Sequence, residues 1–102
     1  MMIYIKVFGD HLHNKFTVRG HSLFEEKGKD IVCSAVSSLS IMTSNYLELK
    51  SSLKTVIRDG LLEVEIINPS LETNKIINIY IQMIKELIKQ YPNYVNLKFL
   101  KE

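Results

Sequence analysis

The chain is expected to fold as a two-layer α+β domain with element order β-β-α-β-β-α-β, one mostly antiparallel five-stranded sheet packed with two helices. Three observations predict this. Two stretches near the start alternate apolar and polar residues, an Asp-Gly pair separates two apolar-rich runs in the middle, and two longer segments repeat apolar residues at helical spacing. At 102 residues the chain is read as a single domain, 1–102, able to bury about two-thirds of its unfolded surface around one modest core.

Residues 2–8 place Ile3, Ile5 and Val7 on one face and Tyr4, Lys6 and Phe8 on the other, the period of a strand. Gly9 to Asn14 is turn chemistry, in which His11 and His13 read as solvated turn residues. Lys15 to Arg19 alternates again and pairs back as a hairpin, and Gly20 ends that strand. From Asp30, a good N-cap, the period changes: Val32, Ala35, Val36, Leu39, Met42, Tyr46 and Leu49 share one predicted helix face. Ser34, Ser37, Ser38, Ser40 and Ser44 form the other face.

Asp59-Gly60 between Leu53–Arg58 and Leu61–Ile67 predicts a tight hairpin with positive φ at both turn residues. Its outward Glu63 and Glu65 mean that one side of the sheet meets solvent or a polar partner. A second helix is predicted from Asn68 as cap and Pro69 as first helical residue. Its apolar positions from Ile76 to Ile88 cover an arc of roughly 200° at about 100° per residue, more than one sheet requires. Either a second copy of the chain or a wedge between the sheet and the first helix would cover the surplus. Tyr91-Pro92-Asn93 stops the helix, and Tyr94 to Leu100 closes the sheet with Val95, Leu97 and Phe99 on one side.

A hydrophobic content of 46% with 24% charged residues is ordinary for a soluble globular protein. A net charge of +2, with lysines outnumbering arginines 11 to 2, gives no expectation of a direct nucleic-acid partner. One cysteine forms no intramolecular disulfide, no secretory leader opens the sequence, and no apolar run approaches the ~18 residues of a membrane span. A cytoplasmic setting and no membrane partner are expected. The Gly-rich nucleotide motifs and the HExxH zinc motif are missing, and two turn histidines with one distant cysteine are too few for a zinc site, so no metal or cofactor is expected.

The chemistry concentrates in Gly20 to Val36. Cys33 should lie in the first turn of the first helix, where unpaired N–H groups and the positive end of the helix dipole favour a thiolate. The same N–H groups could receive an oxyanion. His21 lies beyond the strand end, on the Gly20–Gly28 loop, and is the candidate base. Asp30 caps the helix or orients His21. From position alone Cys33 reads equally as an inert core residue, His21 as a solvated loop residue, and Lys27 and Lys29 as solubilising charge.

Gly20-His21-Ser22 followed by Gly28-Lys29-Asp30-Ile31-Val32-Cys33-Ser34-Ala35-Val36-Ser37 closely resembles the signature of the ribosomal-processing cysteine protease family Prp. Chain length, both hairpins and the late long helix also resemble that family. The resemblance implies a homodimeric cytoplasmic endopeptidase. Its peptide substrate would be a ribosomal protein precursor, large-subunit protein L-twenty-seven, trimmed of an N-terminal extension after a phenylalanine. It makes Cys33 the nucleophile and His21 the general base, with Asp30 matching a motif aspartate. The substrate loop would include Gly20, Ser22, Phe24 and Gly28, with Ser34 beside the nucleophile. Ser22 and Ser34 stand where alanine is common. Other classes are a non-catalytic ribosome-associated module binding peptide or RNA, and a thiol hydrolase of small acyl substrates.

Overall fold

A computed structural model describes residues 2–20 and 31–102. The elements follow the predicted order: β1 Ile3–Phe8, β2 Lys15–Arg19, α1 Ile31–Glu48, β3 Leu53–Arg58, β4 Leu61–Ile66, α2 Leu71–Gln90 and β5 Val95–Leu100. They build one five-stranded sheet of order β3-β4-β2-β1-β5. Three neighbouring pairs are antiparallel, and β5 joins β1 in parallel, in register from Ile3↔Val95 to Phe8↔Leu100.

Alternation decides which side of the sheet is covered. Ile3, Ile5, Val7, Phe16, Val18, Leu62, Val64, Ile66 and Val95 all bury their side chains on one face. Ile77, Tyr80, Ile81 and Ile84 of α2, with Val32, Val36 and Leu47 of α1, complete the same cluster. The Phe16 and Tyr80 rings meet at 4.7 Å between centroids. Tyr80 is also held from α1, because its hydroxyl and that of Ser40 lie 2.7 Å apart in a buried hydrogen bond. Burial raises the Tyr80 pKa, partly offset by that bond, so the phenol stays protonated.

Four details depart from the sequence expectation. The buried side of α1 runs through Val32, Cys33, Val36, Ser40, Thr43 and Leu47, while Met42, Tyr46 and Leu49 are exposed. At about 100° per residue that side lies roughly a quarter turn from the predicted stripe. The cause is that α1 turns the small Ser40 toward the bulky Tyr80, and their hydrogen bond makes its burial acceptable. Helix α2 begins two residues later than Asn68-Pro69 predicts, with Ser70 as its N-cap. The Ser70 hydroxyl accepts from the Thr73 N–H at 3.2 Å, and the Thr73 hydroxyl accepts from the Ser70 N–H at 2.8 Å, a reciprocal cap that Asn68 cannot match.

In the β3–β4 turn only Gly60 has positive φ, at +70°, and no described non-glycine residue has one. His13 is not simply solvated: its backbone N–H donates to Asn74 Oδ1 at 2.9 Å and its ring lies 6.4 Å from that of Phe99. Its Nδ1 is buried without a hydrogen-bond partner, and desolvation lowers its pKa against a hydrogen bond with Asn78 that raises it. His11 remains solvent-exposed as expected.

Candidate active site

The element that positions Cys33 is α1, whose first three residues are Ile31, Val32 and Cys33. Ile31 is 71% exposed and Ser34 is exposed, whereas Val32 and Val36 are buried. The thiol therefore sits at the boundary between core and surface. Its residue is 9% exposed, largely enclosed by the core. The first turn of α1, from Ile31 onward, contains no carboxylate.

At the other end of the segment, Gly20 closes β2 in a conformation that only glycine adopts easily, with φ +100°. A Cβ at this position would come within 2.6 Å of the Met2 carbonyl oxygen. Its N–H donates to the Gly60 carbonyl at 2.9 Å, which ties the end of β2 to the turn between β3 and β4. Gly20 thus fixes where the chain leaves the sheet. His21, Ser22, Phe24, Gly28 and Asp30 lie outside the described residues, so the positions assigned to them stand on sequence alone.

The serine face of α1 divides in two. Ser40 turns inward to Tyr80, and Ser44 donates to the Ser40 carbonyl at 2.9 Å. Ser34 and Ser38 stay exposed on the same helix as the thiol. The sequence offered a face of five equivalent serines; the signal that separates them is Tyr80, a partner too distant in sequence for periodicity to find.

The model of the family described as cysteine protease Prp matches residues 2–96, nearly the whole chain. The chain belongs to that family. It is accordingly a cysteine protease. Among relatives, the ribosomal processing cysteine protease Prp of Mycoplasma pneumoniae is 30% identical over 87 residues, covering 84% of this chain and 87% of that protein. The Prp of Mycoplasma genitalium is 26% identical over 85 residues, covering 80% and 84%. Solved structures share the fold. A Streptococcus mutans protein matches with a TM-score of 0.79 at 24% identity, covering 99% of this chain and 96% of that one. The Staphylococcus aureus protease Prp with a covalently linked product peptide matches with a TM-score of 0.79 at 18% identity, covering 96% and 99%.

Proposed function

We propose that this Prp protease processes a ribosomal protein, removing the N-terminal extension of large-subunit protein L-twenty-seven by cutting after a phenylalanine. The single observation that carries the reading is the place of the only cysteine as third residue of α1, within a family match that spans residues 2–96. The names of the mycoplasmal relatives supply ribosomal processing as the biological class.

In this reading His21 removes the Cys33 proton and Sγ attacks the scissile carbonyl carbon. First-turn N–H groups of α1 receive the oxyanion of the tetrahedral intermediate. The intermediate collapses to a thioester as the C–N bond breaks, and the imidazolium returns its proton to the leaving amine. Water, deprotonated by the same imidazole, then attacks the thioester and regenerates the thiol. Asp30 caps α1 or orients His21. The loop bearing Ser22, Phe24 and Gly28, hinged at Gly20, closes over the peptide beside Ser34.

A homodimer in the cytoplasm completes the proposal. Met42, Tyr46 and Leu49 project from α1, and Ile79 and Met83 from α2, as large apolar groups left exposed among the described residues. A second copy would cover them. Among the described residues no helix is long and apolar enough to cross a membrane.

The test is incubation of purified protein with the extended ribosomal precursor and with a version whose phenylalanine before the cut is replaced. A shortened product from the first alone, lost in Cys33→Ala and in His21→Ala, is expected. Unchanged cutting by Cys33→Ala would sink the proposal, and equal cutting of both precursors would remove the phenylalanine specificity.

A further inference from the structure

We infer that the outward face of the sheet is a docking surface for unpaired RNA. Strand register places its residues in three rows, each crossing all five strands. The first runs Arg58–Leu61–Arg19–Tyr4–Asn96, the second Val56–Glu63–Thr17–Lys6–Lys98, and the third Lys54–Glu65–Lys15–Phe8–Leu100. Neighbours in a row are about 4.8 Å apart and rows about 7 Å.

The strands project six Lys and Arg residues from this face against two Glu residues, so the strand residues of this face carry +4 while all other residues of the chain sum to −2. The overall charge of +2 hides that separation. Both helices pack on the opposite face, and among the described residues no layer covers this one. A hollow of about 300 Å³ lies over its centre, lined among others by Tyr4, Lys6, Phe8, Lys15 and Arg19.

Charge alone would suit any polyanion; the aromatic residues select among them. Tyr4, 48% exposed, and Phe8 flank Lys6 on β1, an interior strand between β2 and β5. The Lys15 ammonium stands 4.3 Å from the Phe8 ring centroid, so cation and ring already meet on this face. Aromatic faces set among cations stack unpaired bases while the cations follow the phosphates. A duplex keeps its bases stacked on one another, and an acidic peptide has no planar groups in register with the rings. A second copy docked here would oppose two faces of +4. Only two of the six cations are arginine, which fits backbone contact rather than base reading. The choice of RNA over DNA rests on the ribosomal role proposed above, because a ribosomal precursor is met beside RNA.

The experiment measures binding of a fluorescent, mixed-sequence RNA of about 12 nucleotides to the full chain by anisotropy across a salt series. Affinity should fall with salt with a log–log slope of about −2 to −3, as three or four phosphate contacts give on a single strand. Lys6→Gln/Arg19→Gln/Lys98→Gln should weaken binding at least about tenfold at low salt and flatten the slope by about 2. Tyr4→Leu should lose about tenfold with the slope unchanged. The single Lys6→Gln, expected to flatten the slope by about 0.7, keeps the test alive if the triple variant fails to fold.

Binding by wild type that ignores salt, or equal binding by the triple variant, would overturn the inference. So would equal affinity for a polyglutamate peptide, for a duplex or for DNA of the same sequence, or a triple variant that changes oligomeric state. Peptide cleavage that falls in step with RNA binding would reassign the face to the peptide substrate. Salt-dependent RNA binding by a protein that leaves the ribosomal precursor uncut would uphold this surface and refute only the function proposed above.

Discussion

Helix α2 occupies its own N-terminus: Ser70 and Thr73 exchange hydrogen bonds across the first turn, and Glu72 adds a carboxylate to the positive end of the dipole. Helix α1 opens on Ile31-Val32-Cys33-Ser34, with no carboxylate in its first turn and a thiol as the ionisable group there. The same kind of helix end carries a reciprocal hydrogen-bonded cap in its first turn in one case and an ionisable thiol in the other. A protein this size can do both because α2 alone supplies much of the core opposite the sheet, including Ile77, Tyr80, Ile81 and Ile84.

The comparison breaks first at Cys33. Cys33→Ala should remove at least about a thousandfold of peptide cleavage. It should change the urea-unfolding free energy by only about 1 kcal/mol, since a small residue replaces a small one. Loss of both together would make Cys33 a structural thiol. Next in size is the outward side of α1: Tyr46→Lys/Leu49→Lys should convert a dimer to a monomer in sedimentation while leaving the thermal midpoint of the monomer nearly unchanged. A dimer that survives would move the interface elsewhere.

Where the helices touch, Tyr80→Phe leaves Ser40 without its buried partner and should cost about 1–3 kcal/mol in urea unfolding. Ser70→Ala should cost about 1 kcal/mol by loss of the α2 cap, with cleavage unaffected. A fall in cleavage as large as the fall in stability would show that α2 serves the chemistry more directly than its cap suggests. The smallest effect concerns His13. Its folded-state pKa lies below the ordinary value of 6.5, so its stabilising contribution is present above that value and is lost as pH falls through 6.5 toward the folded pKa. Thermal midpoints should therefore decline on acidification, and His13→Gln should flatten that decline.

The element order and every strand were legible because alternation and the Asp-Gly turn are local signals. Helix faces were less so. For α1, Met42, Tyr46 and Leu49 form a convincing apolar stripe by spacing, yet burial is decided by Tyr80, forty residues from Ser40. Asn68-Pro69 has good cap chemistry, but the reciprocal pair Ser70–Thr73 outcompetes it, a cooperative feature that single-residue preference does not weigh. His13 looked solvated because its contacts, Asn74 and Phe99, come from elements formed much later in the chain. Of the site, helix spacing located Cys33 in the first turn, whereas the role proposed for its thiol rests on the family signature. The parallel placement of β5 beside β1 carries no local mark at all.

The attachment of residues 21–30 to the sheet has an evolutionary corollary. At Gly20 the restraints are a backbone angle, a carbonyl of residue 2 and a hydrogen bond to another glycine's carbonyl, with no side chain among them. Exposed neighbouring positions can therefore diversify without loosening the anchor. A saturation library across β2 and its exit would be expected to tolerate broad replacement at exposed positions and almost none at residue 20.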